Sequence, residues 1–167
     1  MVGVSTVIDE LVRKNAAAAF DFDYGGLPIK PRLPVVVLTC MDSRLSTPWL
    51  LRVEPGDVHV LRNAGGVVTP DVIRSLAVSQ RRLGTREVMI IQHTNCGMTM
   101  FTDEEFSAEL EAAAGRRPDW DIGSIRDIRK SVLDSVTQVR ENPYLIHTDQ
   151  VRGFVFDVDL GNLTELT

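Results

Sequence analysis

Long basic runs are missing from this chain. It carries 23 acidic and 18 basic side chains, a net charge of −5. The pairs Arg81–Arg82, Arg116–Arg117 and Arg129–Lys130 stand isolated. A phosphate backbone is held by a clustered cationic surface, so no nucleic-acid partner is expected. Long apolar runs are missing too. No stretch approaches the roughly 20 residues of a membrane-spanning helix, and no membrane partner is expected. Met1 to Lys14 mixes Asp9, Glu10, Arg13 and Lys14 with apolar positions, whereas an export signal has a basic start and an uninterrupted apolar core. Cysteine is scarce. The two thiols could close one disulfide, but a cytosolic chain rarely keeps one. The expectation is a cytoplasmic protein with reduced thiols.

The remaining composition is that of a globular domain. Hydrophobic residues make up 44% and charged residues 25% of 167 positions, enough for one domain with a buried core. Val4 to Phe20 is predicted as a helix, with Val7, Leu11 and Val12 at helical spacing and a run of alanines behind them. Asp21 to Arg32, rich in Gly and Pro, is a connecting arm. Pro34 to Thr39 is continuous in β-branched and apolar residues, which suits a parallel strand covered on both faces. Thr47-Pro48 and Thr69-Pro70 mark helix starts, and the second helix is expected to end at Gly84. Asp57 to Arg62 and Glu87 to Gln92 are strands. Thr102 to Glu105 is a capping box opening an acidic helix that reaches Ala114. Ile125 to Arg140 is amphipathic, and Gly153 to Val158 is a final strand, with Asp159 to Asn162 placed to turn it into a short hairpin. Strands alternating with helices predict the α/β class: a single domain, 1–167, with a mainly parallel central sheet flanked by helices. Residues 1–32 form its N-terminal helix and arm, and 33–167 its core.

Both cysteines and one of the three histidines fall in two short segments, Cys40-Met41-Asp42-Ser43-Arg44 and His93-Thr94-Asn95-Cys96-Gly97. Each follows a predicted strand. If the two strands are parallel neighbours, their carboxyl ends bring Cys40, His93 and Cys96 together, where ligands bind in open α/β sheets. Two sulfurs and one nitrogen suit Zn²⁺, and three protein ligands leave a fourth position for water. One zinc per chain is therefore expected. Asp42 is placed to accept the proton of a zinc-bound hydroxide and aim it. Arg44 is placed to hold Asp42 ionised. Such a hydroxide attacks a small electrophilic carbon.

Cys-x-Asp-x-Arg followed by His-x-x-Cys-Gly resembles the β-class carbonic anhydrases. The segments Gly56-Asp57, Arg62-Asn63-Ala64-Gly65-Gly66 and Val72-Ile73-Arg74-Ser75-Leu76 between them resemble that family as well, and the chain is short, like its compact prokaryotic branch. The resemblance implies a carbonate dehydratase, a zinc lyase that converts carbon dioxide reversibly to bicarbonate and a proton. It implies zinc on Cys40, His93 and Cys96, a catalytic dyad of Asp42 and Arg44, and Asp42 as a fourth zinc ligand in a closed form. It implies a bicarbonate hydrogen bond from the Gly97 N–H. It also implies a projecting N-terminal helix that lies over the partner in a homodimer or a dimer of dimers. The same zinc site fits hydrolysis of carbonyl sulfide or carbon disulfide; a non-catalytic zinc protein would need no Asp42–Arg44 pair. Gln92 and Asn95 depart from the Gly and Asp found there in many compact members, and neither is a ligand position. His59 is expected as a core or interface residue, His147 as a loop residue, and Gly65-Gly66 as a tight turn near the metal pocket.

Overall fold

A six-residue strand ending at Cys40 organises the molecule, which a computed structural model describes over residues 5–167. In chain order the elements are α1 (Val7–Ala18), β1 (Val35–Cys40), α2 (Thr47–Leu51), β2 (His59–Asn63), α3 (Pro70–Leu83), β3 (Glu87–His93), α4 (Asp103–Ala114), α5 (Ile128–Arg140), β4 (Val151–Phe156) and β5 (Leu163–Glu165). The sheet runs β2-β1-β3-β4-β5. The first four strands are mutually parallel, and β5 returns antiparallel to β4 as the expected hairpin. The mainly parallel α/β expectation holds.

The continuous apolar strands are buried because both sheet faces are covered. On one face α3 and α5 supply Val72, Leu76, Val136 and Val139 against Val36, Leu38, Val88, Ile90 and Val151. Gly153 lets α5 lie close on β4, since a Cβ there would come within 2.5 Å of Val132. The second face packs Val37, Ile91, Phe154 and Phe156 around Leu45 and both cysteines, with Leu50 and Leu51 of short α2 against them.

Several element ends differ from expectation for local reasons. The first strand and the third each run one residue further, so Cys40 and His93 are their last residues. The fifth helix begins at Ile128, not Ile125, because the Asp127 carboxylate caps it by accepting from Lys130 N. Ile125 is left in the loop yet buried, its N–H bonded to Met98 O at 2.8 Å. The second helix has Ser46 at its N-cap position, without a side-chain capping bond, which places Thr47 inside it. The fourth strand is shifted two residues toward the N-terminus, since Asp157 turns the chain by accepting from the N–H groups of Asp159 and Leu160 at 2.9 Å each. In β2 the expected first residue, Asp57, is instead a buried acceptor for Arg32 Nε at 2.8 Å.

The N-terminal helix is shorter than expected: it starts at Val7 under a Thr6–Asp9 capping box and ends at Ala18, followed by a 3-10 turn to Asp21. Val4 lies outside the described residues. None of its residues is buried, and Val7, Ile8, Leu11 and Val12 are 57–74% exposed.

Candidate metal centre

Strand register places the three expected ligands. With Thr39 opposite Ile91, the ends of β1 and β3 lie side by side, and Cys96 follows His93 in the next corner. The ligand atoms of Cys40, His93 and Cys96 all lie within 4.8 Å of one another, with the two sulfurs 3.9 Å apart and reduced. All three residues are buried. His93 Nδ1 sits 2.9 Å from the Thr94 carbonyl. A carbonyl only accepts, so Nδ1 carries the proton and Nε2 keeps its lone pair. Nε2 is buried with no hydrogen-bond partner among the described residues. A buried acceptor without a partner is costly; beside two thiols, a metal ion resolves it. The residues present fit zinc.

The two thiols act on each other's acidity in opposite directions. Cys40 is held down to about 4, first by its bond with Cys96 and then by His93 and the backbone of Asp42 and Gly65, with burial opposing. Cys96 is pushed up by the same bond and by burial.

Asp42 and Arg44 form the expected pair, and its geometry is bidentate. Arg44 Nε donates to Asp42 Oδ1 at 2.9 Å and Nη2 to Oδ2 at 2.7 Å, while the Arg44 N–H adds a third bond at 2.9 Å. The guanidinium holds the Asp42 carboxyl well below the usual carboxylate range against the opposing effect of burial. Asp42 Oδ2 is 3.8 Å from His93 Nε2, so the carboxylate faces the same small space as the ligand atoms.

Two residues, Arg62 and Asn63, support this site without having been assigned a role from sequence, and the expected tight turn at Gly65-Gly66 supports it beside them. Arg62 Nε donates to the Cys40 carbonyl at 3.0 Å, and its Nη2 to the Asp42 carbonyl at 2.6 Å, fixing the backbone between ligand and carboxylate. Asn63 closes the next turn on itself through Val67, accepting from its N–H at 3.1 Å and donating to its carbonyl at 2.8 Å. Gly66, with φ of 64°, lies against β1: a Cβ would fall 2.8 Å from Cys40 N. The turn at Gly65-Gly66 is thus needed for close backbone approach. The signal lay in the parallel register, which puts Asn63 opposite Cys40.

The other expected residues are placed as follows. Gly97 is exposed, and a Cβ there would meet nothing within 4 Å, so its backbone borders open space. His59 Nδ1 is 2.7 Å from Ser79 Oγ on α3, a structural contact. His147 lies in the loop before β4, its carbonyl accepting from Gln80 at 2.7 Å. Gln92 is buried and donates to Ser131 Oγ at 3.0 Å. A cleft of about 1180 Å³ beside α3 and α5 is lined by Asn63, Val67, Trp120 and Ser131 but by none of the ligand or dyad residues.

Thiolate, imidazole and thiolate donors suit zinc, and their place beyond the carboxyl ends of parallel strands is that of the active site in a zinc enzyme of the α/β class. Residues 35–135 match the family described as carbonic anhydrase. Over 162 residues the chain is 44% identical to beta-carbonic anhydrase 1 of Mycobacterium tuberculosis, covering 97% of this chain and 99% of the relative. It is 32% identical to a carbon disulfide hydrolase of an Acidianus strain, covering 83% and 78%. A crystal structure of carbonic anhydrase from Streptococcus mutans superposes with a TM-score of 0.90 at 36% identity, over 99% of this chain and all of that one. The chain belongs to the β-class carbonic anhydrases, zinc lyases that interconvert carbon dioxide and bicarbonate.

Proposed function

We propose that Cys40, His93 and Cys96 hold one zinc ion per chain, and that Asp42 with Arg44 serves reversible hydration of carbon dioxide beside it. The observation that carries this is the orphaned His93 Nε2, facing two thiols and 3.8 Å from a carboxylate already fixed by a guanidinium. Zinc, when bound, supplies the Lewis acidity that makes water a nucleophile near neutral pH. Ionised Asp42 has only acceptor atoms, so it takes a hydrogen bond from the attacking water and turns a lone pair toward the carbon. Arg44 keeps that carboxylate charged and oriented. The Gly97 N–H donates to an oxygen of bicarbonate. In a closed form Asp42 would leave Arg44 and could itself help hold the zinc. The domain that does this is the single unit 1–167, acting in the cytoplasm, where its thiols stay reduced.

Stopped-flow assays on zinc-loaded protein, with carbonyl sulfide and carbon disulfide run in parallel, test the reaction. Fast carbon dioxide hydration with little sulfide release is expected; the reverse order would assign the chain to hydrolysis of the sulfur compounds. The hydration rate should rise from about pH 6 to about pH 9. Asp42 does not produce that rise. Its acidity is strengthened from an ordinary 3.8, so it is ionised across this whole range, and its contribution is lost only as pH falls through the depressed value. A flat profile would contradict the mechanism.

The same reading makes the protein a homodimer or a dimer of dimers. A helix of 12 residues is marginal alone in water. Burying each of Val7, Ile8, Leu11 and Val12 is worth about 1.5–3 kcal/mol, and a partner subunit is the cover proposed here. Deleting residues 1–24 should weaken the dimer and lower activity, as read by light scattering and hydration assays. An active full-length monomer of 18.5 kDa at dilute concentration would refute the dimer.

A further inference from the structure

Arg44 makes one contact that its pairing with Asp42 does not explain. Its Nη2 also donates to the backbone carbonyl of Asn95 at 2.9 Å. Asn95 lies between His93 and Cys96 at φ of 53°, one of two non-glycine residues with positive φ among those described. Asparagine tolerates this left-handed conformation better than most residues with a Cβ, and alanine tolerates it poorly. The conformation turns the chain so that the Asn95 carbonyl meets the guanidinium.

The corner is braced from the far side by the turn that follows β4. Thr94 N–H donates to the Phe156 carbonyl at 2.9 Å. Val158 N–H donates to Thr94 Oγ1 at 3.0 Å. Asn95 Nδ2 donates to Asp159 Oδ2 at 3.3 Å, and Asp159 is itself fixed by its N–H to Asp157 Oδ1. The sheet end that carries no zinc ligand thus sets the position of the group that holds Asp42.

We infer that Asn95 is a positioning residue for catalysis: its left-handed backbone, braced by the Thr94 contacts with Phe156 and Val158, presents the carbonyl that fixes Arg44 and through it Asp42. This inference rests on the proposed role of the Asp42–Arg44 pair. A guanidinium with two of its N–H groups on the carboxylate and another on a rigid carbonyl has one orientation. Without the carbonyl, Arg44 can swing away on an exposed side chain and take the carboxylate with it. The residue type matters through φ, so glycine should replace asparagine and alanine should not.

The test compares zinc-loaded Asn95→Ala and Asn95→Gly with the parent and with Asp42→Asn. Three readouts are used: zinc content, kcat and KM for hydration, and the nitrogen-15 resonance and hydrogen exchange of the Arg44 Nε–H. Asn95→Ala should keep zinc and lose about tenfold in kcat with a smaller change in KM, and its Arg44 Nε–H should exchange faster. Asn95→Gly should return kcat to within about threefold of the parent, with the Arg44 signal protected. Parent-like kcat and Arg44 exchange in Asn95→Ala would overturn the inference, as would a glycine variant as defective as the alanine one. Activity retained in Asp42→Asn would instead overturn the role of the pair, and the Arg44 exchange data would still decide whether Asn95 positions the guanidinium.

Discussion

Replacing any one of Cys40, His93 and Cys96 should abolish stoichiometric zinc binding. Cys40→Ser and Cys96→Ser exchange a thiolate for a hydroxyl that stays protonated near neutral pH, and His93→Ala removes the only nitrogen donor in the group. The three ligand atoms lie within 4.8 Å of one another in a buried space, and among the described residues the carboxylate beside them is Asp42, which Arg44 already holds. Metal analysis after dialysis should give far less than one zinc per chain in each variant, against one in the parent. Near-stoichiometric zinc in both cysteine variants would refute the ligand assignment. Folding should survive better than zinc binding. Both cysteines sit in an apolar cluster with Val37, Leu45, Ile91, Phe154 and Phe156, and a serine is close in size to the cysteine it replaces, so the serine variants should still unfold cooperatively on heating.

Asp42→Asn should produce the second large effect, with the opposite pattern: zinc retained and hydration lost. The amide keeps the shape of the carboxylate but brings an NH2 group toward the Arg44 guanidinium, where two donors meet. The bidentate pair at 2.7 and 2.9 Å cannot form. The variant also loses an acceptor for the attacking water. Removing one oriented polar group from a transition state costs about 10²–10³ in rate, and a fall in kcat/KM of at least about 10² is expected here on the same grounds. Stability should change little. Arg44 is half exposed, and partly exposed ion pairs contribute at most about 1 kcal/mol. Stopped-flow hydration with metal analysis on the same preparation separates the two quantities. A variant that keeps zinc and most of its activity would remove Asp42 from the mechanism.

The contrast between these variants reflects what was legible in the sequence. The grouping of Cys40, His93 and Cys96 could be read because its logic is topological. Continuous apolar strands imply a parallel sheet, and parallel neighbours end side by side, which brings Cys40 to His93. The Asp42–Arg44 ion pair was readable from its two-residue spacing. Strand and helix ends were less legible where a side chain far from the periodic pattern decides them. The Asp127 carboxylate, not the apolar stripe, sets the start of α5, and Asp157 ends β4 by folding the chain back. The supports of the site were the least legible part. Arg62, Asn63 and the Asn95 carbonyl act through backbone groups of residues distant in sequence, and only the register of β1 against β2 and β3 brings them together. A single sequence carries no pattern for such contacts. The N-terminal helix was visible as a helix, but periodicity does not reveal what its apolar face packs against.

Zinc K-edge X-ray absorption of the zinc-loaded, full-length protein tests the central claim most directly, because it counts the donors around the metal. Cys40, His93 and Cys96 with a fourth position for water or Asp42 predict two sulfur neighbours and two nitrogen or oxygen neighbours per zinc, one nitrogen belonging to imidazole. A first shell with four sulfurs, or with no sulfur at all, would contradict the account.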